Sequence, residues 1–181
     1  RQRGTVNREV ASYRIHPDYT HDDSGGSDLA ILTLRTPIEY NQLIRPICLW
    51  PADSTDLNDI VIRMGYVAGW GQDELGNAYT LEPRMARVPI VSQVICLQSQ
   101  VFIALTSDRT LCAGLRDQSG PCNGDSGTGL VLYNITGHYQ LRGIVSRSMT
   151  NGDYLCDLKK YIVYIDVAKY IPWIQEQICT K

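Results

Sequence analysis

The chain has 181 residues, a formal net charge of −2 and no long run of Lys or Arg. That balance speaks against nucleic acid and acidic membrane surfaces as partners. No stretch is long and apolar enough to span a bilayer, and the length suits one domain with a sizeable core. The chain opens with the charged RQRGTVNREV and not with a signal peptide. The expectation is therefore that a leader has been removed or that the chain is a piece of something longer.

Composition favours β structure. Eleven Tyr, 15 Gly and 8 Pro accompany many Val and Ile in short apolar segments separated by turn residues. In chain order, Ser27-Asp28-Leu29-Ala30-Ile31-Leu32 places a carboxylate at the start of an apolar strand. Residues Val61 to Val67 contain a short β-prone run, ending in the glycine-punctuated Ala68-Gly69-Trp70-Gly71. Arg84 to Val91 is a further strand, after which Ser92 caps a short helix through Ile95 and Cys96. Leu130 to Tyr133 is another strand. Tyr139 to Arg142 alternates as a half-buried strand does, and Ile162 to Ile165 is a last apolar run. Val167, Tyr170, Ile171, Ile174 and Ile178 fall on one helical stripe behind Asp166. Pro172 is tolerated only in a first turn, so the regular helix starts near it. The expected fold class is all-β with a C-terminal helix, without repeat or linker.

Six cysteines lie at 48, 96, 112, 122, 156 and 179, with no CxxC pair, and the only histidines are at 16, 21 and 138. This is not metal-ligand spacing, and no metal or cofactor is called for. Disulfides in an oxidising compartment are the expected use. Asn134-Ile135-Thr136 is an N-glycosylation sequon, which agrees with secretion.

The stretch Gly120-Pro121-Cys122-Asn123-Gly124-Asp125-Ser126-Gly127 carries chemistry. A serine hydroxyl becomes a nucleophile when a base takes its proton and donors stabilise the oxyanion. Gly124 and Ser126 can aim two backbone N–H groups at one point, and glycine at 124 permits a sharp turn. Alone, Gly-Asp-Ser-Gly is equally a tight turn. Its company is more specific: Asp28 in its strand, Arg45-Pro46-Ile47-Cys48-Leu49, Ala68-Gly69-Trp70-Gly71, Leu111-Cys112-Ala113-Gly114, Gly143-Ile144-Val145-Ser146 and Tyr170-Ile171-Pro172-Trp173-Ile174. In order and spacing these motifs resemble the chymotrypsin-like (trypsin-type) serine proteases across nearly the whole chain. Within that family, the match is to insect proteases of the gastrulation-defective type and to clip and modular proteases.

The resemblance implies a trypsin-like double β-barrel with its first barrel incomplete. It implies Ser126 as nucleophile, Asp28 as the acid that orients a histidine, and Gly124 and Ser126 as oxyanion-hole donors. Asp125 would pair with a new N-terminus on zymogen activation, and Ser146 would support both the acid and the substrate backbone. Gly120 would form the base of the specificity pocket, with Arg147, Ser148 and Ile162 at positions that in the family are a tryptophan and two glycines. A branched side chain at Ile162 would narrow that pocket, and Asp157 is a candidate carboxylate for it. Thr128 stands where a second glycine usually follows the nucleophile, so that turn is expected to differ. The implied disulfides are Cys96–Cys112 and Cys122–Cys156. Cys48 would hold a pro-segment or bond to Cys179, and otherwise both would bridge to partners outside the chain.

The family's histidine segment and activation site have no counterpart here. His16, His21 and His138 read as exposed loop histidines. The missing base is expected on an upstream segment of the parent protein, because folds of this kind often run to roughly 200–250 residues. The chain alone is expected to be inactive and destabilised by exposed first-barrel core. Two functions compete. One is a secreted, extracellular serine endopeptidase of a zymogen cascade, acting on protein substrates such as a downstream zymogen. The other is a non-catalytic protease homologue acting as cofactor or binding module.

Overall fold

A computed structural model describes residues 5–20, 26–73, 75–98, 104–152 and 155–179, the last residue by its backbone only. Nine strands and two short α-helices are present among these residues. Strands β1 (Val10–Ile15) and β2 (Ala30–Leu34) pair antiparallel as a separate two-stranded sheet. The β-formers Val10, Tyr13, Ile15 and Leu32 stand exposed on it. This ribbon is one lobe of the structure, separate from the larger sheet.

The second lobe is a closed barrel. Strands β4 (Met64–Gly69), β5 (Arg84–Val91), β6 (Thr110–Ala113), β7 (Gly129–Tyr133), β8 (Tyr139–Arg147) and β9 (Ile162–Asp166) follow in sequence. They pair antiparallel in the order β8-β7-β4-β5-β6-β9, and β9 returns to β8. The two-residue β3 (Cys48–Leu49) lies parallel to the free half of one edge of β8. Residues such as Val88, Ile90, Leu111, Leu130, Leu132 and Tyr164 fill the interior, as alternation predicts for strands with one buried face.

Ser92 caps α1 (Gln93–Leu97) as expected, its hydroxyl accepting from the Ile95 N–H at 3.3 Å. The C-terminal segment begins as a 3-10 turn over Val167–Tyr170, and the Asp166 carboxylate accepts from the Ala168 N–H at 3.2 Å. Helix α2 (Ile171–Cys179) then carries Pro172 in its first turn. Residues 61 and 62 belong to a turn, with Ile62 at φ 65°, so the β-prone run within residues 61–67 begins at Met64 as β4. Ile178 is exposed, because the apolar stripe of α2 stops making core contacts after Ile174.

Arg142 is fully buried, although strict alternation would turn it outward. In the β7–β8 ladder, Leu130 faces Gly143 and Val131 faces Leu141, so Arg142 is an extra residue without a partner. Such a bulge re-aims its side chain. The guanidinium pairs with Asp166 through Nε at 2.9 Å and Nη2 at 3.0 Å, and lies 4.7 Å above the Trp50 ring. Removing one partner of a buried pair leaves an uncompensated charge, which costs about 3–5 kcal/mol. Urea denaturation should show a loss of that order for Arg142→Met. Adding Asp166→Leu should recover most of it.

Candidate active site

Three segments meet around Ser126. Cys122 through Thr128 forms a compact double turn, with the Asp125 N–H donating to the Cys122 carbonyl at 2.9 Å and the Thr128 N–H donating to the Asp125 carbonyl at 3.0 Å. The left-handed φ values fall on Gly124 (91°) and Gly127 (83°), where no Cβ opposes them. Thr128 keeps a negative φ. The turn thus accommodates threonine in place of a glycine without the strain its branched side chain would meet. Ser126 is exposed. Among the described residues, neither the Gly124 nor the Ser126 N–H has a hydrogen-bond acceptor.

Asp125 points the other way, into the protein. It is buried, and its carboxylate accepts from the Gly71 N–H at 2.8 Å and the Cys122 N–H at 3.1 Å. No ion pair to it occurs among the described residues. The Ala68-Gly69-Trp70-Gly71 motif gains a physical reason from this contact. A Cβ on Gly69 would collide with Asp125 Oδ1, and one on Gly71 would lie 2.5 Å from Oδ2. The Tyr164 hydroxyl, buried and without a hydrogen-bond partner among the described residues, has its pKa pushed up by burial first and by Asp125 second.

The half-buried Asp28 enters from the ribbon side. Its Oδ2 accepts from Ser146 Oγ at 2.7 Å. Ser146 reaches it because it too is an extra residue: Val145 faces Tyr164 and Arg147 faces Val163. The residue before it is joined to the nucleophile turn, since the Gly127 N–H donates to the Val145 carbonyl at 2.8 Å. One stretch of β8 therefore links Ser126's turn to Asp28.

On the specificity side, Ile162 opens β9 opposite Ala113 and is buried. Its Cδ1 lies 2.9 Å from where a Cβ on Gly120 would sit, and Leu158 Cδ2 lies 3.5 Å from the same point. The two side chains occupy the space over Gly120. Arg147 ends β8, and the half-buried Ser148 follows it. A cavity of about 980 Å³ has Gly120, Cys122, Asp125 and Asp157 on its wall, while Ser146, Arg147, Ser148 and Ile162 do not line it. The Asp157 carboxylate itself accepts from the Lys159 N–H at 3.2 Å. Disulfides join Cys122 to Cys156 and Cys96 to Cys112, while Cys48 is free and exposed. The side chain of Cys179 lies outside the described residues. Among those residues no group of His, Cys, Asp or Glu is placed to hold a metal ion.

The histidines divide. His21 lies outside the described residues. His138 is exposed on the β7–β8 hairpin beside Thr136. His16 is buried and not exposed, which corrects the sequence reading. Its ring packs against Tyr170 (5.1 Å between centroids) and Trp173 (4.8 Å), and its Nδ1 accepts from the Asp18 N–H at 3.2 Å. Neither His16 nor His138 bonds to Asp28 or Ser126. Accepting that N–H requires a neutral imidazole.

A profile of the trypsin family, described as Trypsin, matches residues 1–174. The chain belongs to that family of serine proteases. It is 32% identical to serine protease gd of Drosophila melanogaster over 96% of this chain and 38% of the fly protein. It is 31% identical to a venom protease of Bombus pensylvanicus over 90% of this chain and 63% of that one. An inactive CLIP domain-containing serine protease of Anopheles gambiae is 30% identical over 91% of this chain and 44% of its own length. The chain thus spans between 38% and 63% of the length of these relatives.

Burial holds the His16 pKa below its ordinary 6.5, with Asp18 opposing the shift and Arg109 adding to it. The unfolded chain therefore takes up a proton as pH falls through about 6.5, while the folded chain resists until lower pH. Stability from this group is complete above about pH 6.5 and declines below it. The urea midpoint should fall more steeply between about pH 7 and 5.5 in the parent chain than in a His16→Phe variant. Equal slopes would place the pH dependence elsewhere.

Proposed function

We propose that this chain is most of the catalytic domain of a secreted serine endopeptidase that works in an extracellular zymogen cascade. The single observation that carries this reading is the Ser146–Asp28 hydrogen bond at 2.7 Å, held next to the nucleophile turn by the Gly127–Val145 backbone bond. That arrangement leaves the imidazole of a third residue to be supplied, on a segment outside these 181 residues. With it in place, Ser126 Oγ attacks a peptide carbonyl carbon while the imidazole takes its proton. The oxyanion rests on the Gly124 and Ser126 N–H groups. The proton passes to the leaving amine, and water then hydrolyses the serine ester by the same steps. Asp28 keeps the imidazole oriented and offsets its charge. Asp125, buried with no ion pair among the described residues, is the anchor for the α-ammonium that activation cleavage creates. Cys48 is the tie to a pro-segment. The disulfides and a relative named as a venom protease support secretion, and no helix among the described residues is long and apolar enough to cross a membrane.

A second reading, a non-catalytic homologue that binds partners in such a cascade, draws on Ile162. Its side chain fills the space over Gly120 where a substrate side chain would enter, and one relative is named inactive. The longest secreted form, after activation, is to be treated with a fluorophosphonate probe and the adduct mapped by mass spectrometry. The expected adduct is on Ser126. A folded, activated form carrying its upstream segment that takes no label would establish the second reading instead.

A further inference from the structure

Ser27, the residue before Asp28, has φ 55°. Left-handed backbone is unfavourable for a side chain with a Cβ and persists where the surroundings enforce it. Here the surroundings are specific. Ser27 is buried, and its Oγ shares a hydrogen bond with Tyr170 Oη at 3.1 Å. Arg109 Nη1 donates to the same oxygen at 3.3 Å while also pairing with Asp18 at 2.6 Å. The Leu29 N–H donates to the Ser27 carbonyl at 2.7 Å. Asp28 is therefore the middle residue of a three-residue turn.

The far side of that turn is fixed as well. Leu29 is buried against Ile165 and Tyr170, and its carbonyl accepts from the His16 N–H at 3.1 Å. Both neighbours of Asp28 are tied to the C-terminal segment, and the carboxylate between them projects to Ser146 Oγ. An extended Ser27 would turn the following residue away from that hydroxyl.

We propose that Ser27 is a positioning residue: held in the left-handed conformation by the Tyr170 hydroxyl and Arg109, it aims the Asp28 carboxylate at Ser146. The catalytic consequence rests on the reading of Asp28 as the acid of a triad. The aiming itself does not, and it is measurable in this chain without turnover.

The experiment is a double-mutant cycle between Asp28→Asn and Ser146→Ala, read by urea denaturation of the full chain. The cycle is repeated with Ser27→Asn, Ser27→Val and Tyr170→Phe as backgrounds. A hydrogen bond to a charged carboxylate should couple the two residues by about tenfold or more in the unfolding constant. That coupling should persist with Ser27→Asn, since asparagine tolerates left-handed backbone. It should shrink to about threefold or less with Ser27→Val, whose branched side chain does not. Tyr170→Phe, which deletes only the anchoring hydroxyl, should weaken it to an intermediate value and decides the matter if Ser27→Val does not fold. Full coupling in the Tyr170→Phe background, or loss with Ser27→Asn as complete as with Ser27→Val, would overturn the proposal. In the activated parent protein, Ser27→Val should lower kcat with KM little changed, and Ser27→Asn should restore it. A normal coupling pattern without any turnover would leave the positioning role standing and refute the protease reading alone.

Discussion

Strand β8 lies against β7 along one edge and β9 along the other, and this double pairing turns a sheet into a closed barrel. Closure leaves the second lobe without a free hydrogen-bonding edge across most of its circumference. It also fixes the position of everything β8 carries. The bulges at Arg142 and Ser146 are departures that a doubly paired strand can hold. One sends a charge inward to Asp166 and Trp50, and the other sends a hydroxyl outward to Asp28. Between them, the Val145 carbonyl takes the Gly127 N–H and so sets the distance from barrel to nucleophile turn.

The two lobes are thereby held by unlike forces. The barrel is sustained by an interior of Val, Ile, Leu and Tyr side chains buried to a few percent or less. The ribbon has almost no interior. Its attachments are Leu29 in a small cluster, His16 between two aromatic rings, Ser27 on Tyr170, and Arg14 with Gln177. These lead mainly to the C-terminal turn and α2, while Asp18 pairs with Arg109 ahead of β6 and Asp28 accepts from Ser146 on β8. The C-terminal segment is joined to the barrel through Asp166, so the buried ion pair bears indirectly on where Asp28 stands.

Much of the barrel was legible because its signals are local. Arg84–Val91 is a strand between turn residues, Ser92 has a capping hydroxyl at the right offset, and Pro172 dates the start of α2. The nucleophile loop was legible as a motif. What could not be read depends on partners distant in sequence. Arg142 looks like an outward residue of an alternating strand until the register with β7 is known. His16 sits in a polar loop sequence, and its burial comes from Tyr170 and Trp173. The left-handed backbone at Ser27 leaves no trace in composition, since serine is common in turns of every kind. The glycines at 69 and 71 were visible as a motif, but their cause, the Asp125 carboxylate, was not. The shift of β4 to begin at Met64 belongs with these, because the Ile62 N–H and carbonyl of Arg63 are engaged by Ile90 across the chain.

Side chains along a strand alternate, and each inserted residue reverses the alternation beyond it. β8 contains two such reversals four residues apart, so the segment Gly143-Ile144-Val145 faces oppositely to what the strand's two ends would dictate, and the ends agree with each other. Deleting either residue alone would close its ladder into one-to-one pairing, since Leu141 and Gly143 already face Val131 and Leu130, and Val145 and Arg147 already face Tyr164 and Val163. The strand can thus change length at these two points without shifting the register of its neighbours, and each change would erase one contact: the ion pair at the first, the link to Asp28 at the second.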